Sequence, residues 1–599
     1  MRSRSPRTRL RRIVRLARAN LYDFRVLLVE TRFVLITFAL LATVTSLYLL
    51  FGYPATAASP RPRDVGEALY ATVQLMSLQS GLAFPAGDLL GVFVFFFTPL
   101  LGLALIFQSV LNFGRLVLDK AGRVEQWQVS LASTYREHVI VCGLGRVGWR
   151  TAQQLAEAGY EVVVIEREWG GEFVAATLAQ RIPVVHGDAR VRRVLQQAGI
   201  AHARAIICAI ADDLVNIEIG LNARNEHPTV RLVLRIFNED LDRNVERALG
   251  KNTCFSASAL AAPTIAAAAV SREVDYVIPV AGHLLGISKL IIQPDSSFAN
   301  FIHTVEQRAA IRVIDHQSAD GRPQSSQQLT RLSTGDRVAV VGELAELERV
   351  RLANMRDTSL AFLGVAQLQH PTEEHNAVIV CGLGRVGYRV VRQLYALERR
   401  PRIIVVRLDD AINSFAERVA RLPDVTTIIG DARDVSVLRR AGLNEAFSVV
   451  AATSDDLVNL QVGLAARSHR ANVHIVMRTF SDALAERLAE LFGIRTTFST
   501  SALAAPTLAA AAVARSKSVG HAFFIGGRLF GADTVAIGPS HPFIGRTVDQ
   551  VRAALNIQII ALRRGNSWRY IPGDHDHVEL DDQMTMIGPL DALDQLPIS

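Results

Sequence analysis

The chain has 599 residues, half of them hydrophobic, and 65 lysines and arginines against 57 aspartates and glutamates give a formal net charge of +8. So long a chain exceeds one hydrophobic core and implies about three to five domains, and four cysteines exclude a disulfide framework. None of the cysteines has CxxC or Cys/His spacing, so small buried hydrophobes of a reducing compartment are expected, and no basic-aromatic interleaving supports nucleic-acid binding.

The basic excess is local. Ten arginines from Arg2 to Arg32 precede the first apolar run, against Asp23 and Glu30 only, which marks a cytoplasmic segment with contact to anionic lipid. From Phe33 to Phe51 and from Leu89 to Gly114 there is no charge. Each run covers the roughly 30 Å hydrocarbon core as a helix rising about 1.5 Å per residue. A signal peptide is the alternative for the first run, suggested by Ala55-Thr-Ala57, but its arginine-rich lead is too long for an n-region.

Between these runs, residues 68–87 are uncharged but carry Thr72, Gln74, Ser77, Gln79 and Ser80, polar groups that need partners in lipid. A re-entrant segment is expected, not a third span. Two spans also keep the arginine-rich start and Arg115, Lys120 and Arg123 on one side of the membrane. Ala68-Leu-Tyr70 resembles the start of a potassium-channel pore helix, and span, re-entrant helix, span is the layout of a pore-loop cation-channel subunit. The resemblance implies four subunits around one axis. It also implies a filter at Ser77-Leu78-Gln79-Ser80-Gly81, which keeps only the last glycine of Thr-Val-Gly-Tyr-Gly, so potassium selectivity is not implied. A plug between the spans is the alternative. Pro99 and Gly102 interrupt the second run, as a gate hinge or a static kink.

The remainder is a duplication. Cys142-Gly-Leu-Gly-Arg-Val-Gly148 recurs as Cys381-Gly-Leu-Gly-Arg-Val-Gly387, and residues 187–270 align with 430–513 at a constant offset of 243. Each glycine motif follows a β-branched run and opens a helical stretch, the context that makes GxGxxG informative. Alternating apolar runs at Val139–Val141, Val162–Ile165, Val184–Val185, Ala205–Ala209 and Arg231–Leu234 predict a parallel sheet with helices on both faces.

Gly143 and Gly145 allow the turn beneath a pyrophosphate, and Gly148 allows helix and strand to approach. Arg146 reaches a phosphate, and Glu166, about twenty residues on, accepts ribose hydroxyls. That is an NAD(H)-type or adenine-nucleotide fingerprint. The second copy has Gly382, Gly384, Arg385 and Gly387, but Arg407 stands where the carboxylate belongs. A 2′-phosphate, a mononucleotide or no ligand fits there, so the first copy is expected to be the better site.

These motifs, with Gly187-Asp-Ala-Arg190, Gly430-Asp-Ala-Arg433, the paired Asp-Asp-Leu-Val-Asn runs from Asp212 and Asp455, and the closing pattern of residues 544–551 and 582–588, resemble tandem regulator of potassium conductance (RCK, TrkA-N/TrkA-C) domains. By that resemblance Asp188 and Asp431 lie near the nucleoside; capping a helix is their alternative role. The alanine-rich stretches 257–270 and 500–513 resemble the crossover helices through which RCK domains pair, with an ordinary core helix as the alternative. A divalent cation at Asp212 and Asp213 is weighed against a helix cap.

The expected fold is an α-helical membrane pore domain, two transmembrane helices plus a re-entrant pore helix, followed by two α/β Rossmann-like RCK domains, each with an α+β C-terminal subdomain. Expected boundaries are 1–32 basic segment, 33–114 pore, 115–136 linker, 137–270 and 271–370 for the first RCK domain, and 371–513 and 514–599 for the second. The expected function is a homotetrameric ligand-gated cation channel of the inner membrane, with both termini cytoplasmic and its RCK ring binding NAD(H) or an adenine nucleotide. The alternative is a membrane-anchored nucleotide sensor that does not conduct. No His, Tyr/Lys or Cys constellation accompanies either crevice, so no enzymatic turnover is expected.

Overall fold

The structure is a computed structural model and describes residues 32–596 apart from 57–58, 119, 273, 295, 325–329, 355–375, 409–413 and 516–519. The basic segment before Arg32 and the end of the expected first C-terminal subdomain lie outside the described residues. By their contacts the residues form two units, divided between Tyr135 and Arg136 except that Pro183–Val185 groups with the first.

In the first unit, α1 (Arg32–Gly52) and α3 (Leu89–Leu118) are long and apolar enough to cross a membrane. Apolar side chains on both helices stand outward without cover: Phe33 is 79% and Leu89 is 89% exposed. Continuous apolar surface of that kind belongs against lipid or a partner. Between them α2 (Val65–Met76) starts where Asp64 accepts the Glu67 amide, an N-cap, and its 12 residues reach about 18 Å, too short to span. The polar groups within this unit find partners in one another. Ser46 bonds Thr72 at 3.0 Å, Thr45 bonds Thr98 at 3.0 Å, and Tyr48 donates to Asp88 at 2.7 Å. The stretch expected as a linker is largely helical, with α3 running to Leu118 and α4 covering Lys120–Ala132.

The second unit holds both sequence copies. In the first, β1 (His138–Cys142), β2 (Val162–Glu166), β3 (Val184–His186), β4 (Ala203–Cys208), β5 (Arg231–Arg235) and β6 (Cys254–Phe255) form one sheet in the order β3-β2-β1-β4-β5-β6. Its main helices are α5 (Arg146–Glu157), α6 (Asp213–Glu226) and the alanine-rich α7 (Ala257–Val270). An antiparallel sheet β7-β8-β10-β9 follows, from β7 (Tyr276–Val280), β8 (His283–Ile291), β9 (Ile311–Gln317) and β10 (Arg337–Glu343).

The second copy repeats this order. Strands β11 (Ala377–Cys381), β12 (Arg402–Arg407), β13 (Val425–Ile429), β14 (Ala446–Ala451), β15 (His474–Arg478) and β16 (Thr497–Phe498) form a parallel sheet ordered β13-β12-β11-β14-β15-β16. Its main helices are α8 (Arg385–Tyr395), α9 (Asp456–His469) and α10 (Thr500–Val513). The closing antiparallel sheet is β17-β18-β21-β19-β20, from β17 (His521–Ile525), β18 (Arg528–Ala536), β19 (Gln558–Arg564), β20 (Ser567–Tyr570) and β21 (Gln583–Pro589).

The expected doubly wound parallel sheets are present. All five residues of β1 and of β11 are buried, the mark of a strand covered on both faces. In each sheet the strand order reverses between the adjacent, parallel first and fourth strands, which opens a crevice at their carboxyl ends.

The copies are packed through one another. Helix α7 of the first copy lies against α8 of the second, α10 lies against α5, and α7 and α10 touch. Side chains of one copy close the other's crossover helix: Arg204 and Arg231 donate to the Val513 and Ala514 carbonyls, while Ser448 (2.6 Å) and His474 (2.7 Å) bond the Ala269 and Ala268 carbonyls. The last carbonyls of a helix have no partner within it, so these contacts satisfy them. The two antiparallel sheets also share a core, with Leu285, Ile287, Ile314 and Val341 packed among Phe523, Phe530, Ile560 and Ile587.

A buried ion cluster ties the same two sheets. Arg552 contacts Glu306 at 2.9 Å and Asp574 at 2.6 Å, and Arg312 contacts Asp574 at 3.2 Å. Removing one member strands a buried opposite charge, so Glu306→Ala is expected to destabilise the protein by about 3–5 kcal/mol, read as a lower denaturation midpoint. A midpoint unchanged from the wild type would show the cluster to be dispensable.

Burial holds His138, His474 and His521 down to about 4, below the ordinary 6.5. A base depressed on folding contributes stability that is complete above pH 6.5 and is lost as pH falls toward 4. Asp275 and Asp315, whose carboxyls burial raises, oppose this at the acid end. The unfolding midpoint is therefore expected to be lower at pH 5 than at pH 7. Replacing His474 with Gln, which keeps a donor, should shrink the difference.

Candidate functional site

The two glycine loops have the same geometry. Gly143 at φ +89° and Gly382 at φ +99° take the left-handed turn that ends β1 and β11. A Cβ on Gly148 would lie 1.9 Å from the Gly143 carbonyl, and one on Gly387 equally close to that of Gly382, so the third glycine is fixed by the approach of helix to turn. A Cβ on Gly145 or Gly384 would meet nothing within 4 Å. That open face lies at the start of α5 and α8, where no side chain caps the first amides. Uncapped amides beside an open backbone suit an anion.

Around the first loop the structure gathers Gly143, Gly145, Arg146, Gly148 and Glu166. One Glu166 oxygen accepts the Leu144 amide of the loop and the other accepts the Glu168 amide at 2.9 Å. The carboxylate thus braces the turn. In the second copy Arg407 occupies the matching strand end and is buried, so the brace is absent.

Asp188 and Asp431 do not cap helices. Each accepts the amide two residues on and a two-pronged ion pair, Asp188 from Arg190 and Asp431 from Arg433. These arginines hold both carboxyls below the usual range. The helix after Asp431 is capped by Asp434 instead. Asp188 sits one residue past Gly187, whose amide bonds the Glu166 carbonyl at 2.9 Å, so it lies beside the end of β2.

The Asp-Asp-Leu-Val-Asn motifs are spent on backbone. Asp212 caps α6, and Asp213 accepts the Phe237 and Asn238 amides at 3.0 Å. Asn216 holds the Ile210 amide and carbonyl and the Arg235 carbonyl. Asp455, Asp456 and Asn459 do the same around Thr453, Arg478 and Phe480. Among the described residues no three His, Cys, Asp or Glu side chains converge as metal ligands.

Sequence reasoning passed over four residues that border the loops. A cavity of about 500 Å³ beside the second loop is lined by Gly382, Gly384, Arg385, Thr453 and Arg478, and from the first copy by Arg235 and Phe237. The Arg385 guanidinium lies 4.2 Å from the Phe237 ring centroid, and Arg146 lies 4.1 Å from that of Phe480. Burial, with Arg385 nearby, lowers Arg235 to about 10. The available signal was Arg235-Ile-Phe237 recurring as Arg478-Thr-Phe480 at the repeat offset.

The membrane candidates occupy separate places in the first unit. Ser77 ends α2, its hydroxyl donating to the Val73 carbonyl at 2.9 Å, and the left-handed turn falls on Leu78 at φ +60°. The Gln79 amide donates back to Gln74 at 2.8 Å, Ser80 accepts the Leu82 amide, and the Cα of Gly81 faces open space. Pro99 and Gly102 lie inside α3, and a Cβ on Gly102 would lie 2.8 Å from Met76, so this glycine marks where α2 meets α3.

The chain is similar to several known proteins. The TrkA-N domain matches residues 139–257 and 378–500, and the TrkA-C domain matches residues 534–596. The Trk system potassium uptake protein TrkA homolog of Archaeoglobus fulgidus is 21% identical over 358 residues, 56% of this chain and 72% of that one. Potassium channel protein 1 of Methanocaldococcus jannaschii is 25% identical over 114 residues, 19% of this chain and 33% of that one. The chain spans less than half the length of most curated relatives it matches. Among solved structures the GsuK channel is similar over 96% of this chain and 98% of its own, at 18% identity and a TM-score of 0.57; the same channel bound to NAD gives 0.53. The chain belongs to the RCK-domain proteins, with two TrkA-N domains and a closing TrkA-C domain.

Proposed function

We propose that this chain is the subunit of a homotetrameric, nucleotide-gated cation channel. The observation that carries the reading is the union, in one chain, of two membrane-length helices around a short capped helix with two open-faced glycine loops. The fold likeness to the GsuK channel across nearly the whole chain supports it, as does the NAD held by that channel. In this reading α2 is the re-entrant helix, Ser77 to Gly81 line the filter, and α3 gates at Pro99 and Gly102. Both termini are cytoplasmic.

NAD(H) or an adenine nucleotide binds the first copy. Its pyrophosphate lies on Gly143, Gly145 and Gly148 beside Arg146, and its nucleoside lies toward Glu166 and Asp188. In the second copy Gly382, Gly384, Arg385 and Gly387, with Arg407 and Asp431 nearby, take an anionic ligand. The ligand moves the gate by binding two shapes of the RCK assembly unequally, without turnover.

A second reading is a membrane-anchored regulator that does not conduct. Gln79, standing where a potassium filter uses its first glycine, favours it, as does the match to a Trk uptake component. Ion flux from proteoliposomes under potassium, sodium and chloride gradients, with and without NAD⁺ or ADP, separates the two. The channel reading expects nucleotide-dependent cation flux; silence under every condition supports the regulator.

The binding site has its own test. Gly145 has φ −74°, open to any residue, and a side chain there meets only a ligand. Gly145→Val is expected to leave the unfolding midpoint near the wild-type value and to weaken NAD⁺ or ADP binding to the first copy at least about tenfold by calorimetry. Gly148→Ala, by contrast, should destabilise the fold itself.

A further inference from the structure

Four arginines stand on two phenylalanines at the meeting of the copies. Phe237 has Arg235 of its own copy at 4.5 Å and the glycine-loop Arg385 of the other copy at 4.2 Å from its centroid. Phe480 has Arg478 at 4.4 Å and the other loop's Arg146 at 4.1 Å. Neither ring is loosely placed. The Phe237 amide is held by Asp213 and the Phe480 amide by Asp456 at 2.9 Å, while Asn216 and Asn459 hold the preceding arginine carbonyls.

These stacks hold no direct ion pair, although Asp213 acts on Arg235 and Asp456 on Arg478 through space. Among the described residues no carboxylate bonds any of the four guanidinium groups, and the buried Nε atoms of Arg235 and Arg478 have no hydrogen-bond partner. Two cations held at one aromatic ring repel each other, and the ring offsets only part of that repulsion. An anion beside them would remove it. The cavity of about 500 Å³ borders Phe237, Arg235, Arg385 and Arg478 together with the glycine turn, so a phosphate on that turn lies within reach of the stack.

We propose that Phe237 and Phe480 are positioning residues for nucleotide phosphate, each holding the glycine-loop arginine of the opposite copy in its binding pose, so that each copy's site is completed by the other. This rests on the reading that the glycine loops bind nucleotide. The pairing makes the crevices reciprocal: disturbing the ring after β5 acts on the second loop, and disturbing the ring after β15 acts on the first.

The experiment is calorimetric titration of the purified full-length protein with ADP and with NAD⁺, in a Gly384→Val background that leaves the first loop open. Phe480→Leu keeps apolar bulk and removes the aromatic face; it should weaken binding about fivefold to tenfold, with the nucleotide-free unfolding midpoint preserved. Arg146→Ala should weaken it similarly, and the double variant should be no weaker than either alone. Phe480→Trp should restore wild-type affinity. Additive losses, or unchanged affinity in Phe480→Leu, would overturn the proposal while nucleotide binding itself stood. If a protein with both loops intact binds neither nucleotide, the underlying reading falls and this proposal falls with it.

Discussion

The cytoplasmic unit depends on two helices made almost entirely of small apolar residues. Eleven of the 14 residues of α7 are buried, and α10 is buried nearly from end to end. A helix apolar all round must be covered all round, and a single doubly wound sheet offers cover on one side only. The second copy supplies the rest, with α7 against α8 and α10 against α5. Alanine at the contact lets the backbones approach closely, so the helix that opens each glycine loop rests on its counterpart's crossover helix.

That exchange fixes what surrounds the crevices. The core of the second parallel sheet includes Ala261, Ile265 and Ala268 from the first copy beside Val380, Val391 and Val450 from the second. The exchange also places the segment after β5 against α8 and the segment after β15 against α5, where Phe237 and Phe480 meet foreign arginines. The two antiparallel sheets reinforce the arrangement through a shared apolar core and the Glu306, Arg312, Arg552 and Asp574 cluster. A buried ion cluster adds little net stability over an apolar one but penalises any mismatched arrangement, so it specifies which sheet faces which.

The copies differ at the sites expected to carry chemistry. Glu166 braces the first loop through the Leu144 amide, and Arg407 at the same strand end cannot accept that bond. The ring after each glycine-loop arginine also differs: Trp149 stacks on Phe173 in the first copy and Tyr388 on Phe415 in the second. Identical frames therefore present unlike crevices. In the first unit the same economy holds on a smaller scale, since Thr45, Ser46, Thr72 and Thr98 satisfy one another and leave apolar surface outward.

Much of this was legible in the chain itself. The uncharged runs, the β-branched strands, the spacing of GxGxxG and the exact repeat are local patterns, and local patterns decide which segments are helix, strand or turn. The spare Asp-Asp-Leu-Val-Asn motif was legible only as a cap, because Asp213 and Asn216 bond residues more than a dozen positions away. The roles of Glu166 as a brace, of Asp188 as the partner of Arg190, of Gly102 as room for Met76, and of Phe237 and Phe480 as seats for the opposite loops were decided by tertiary packing. Spacing along a sequence reports what one element needs, whereas these contacts depend on which surfaces two copies bury against each other.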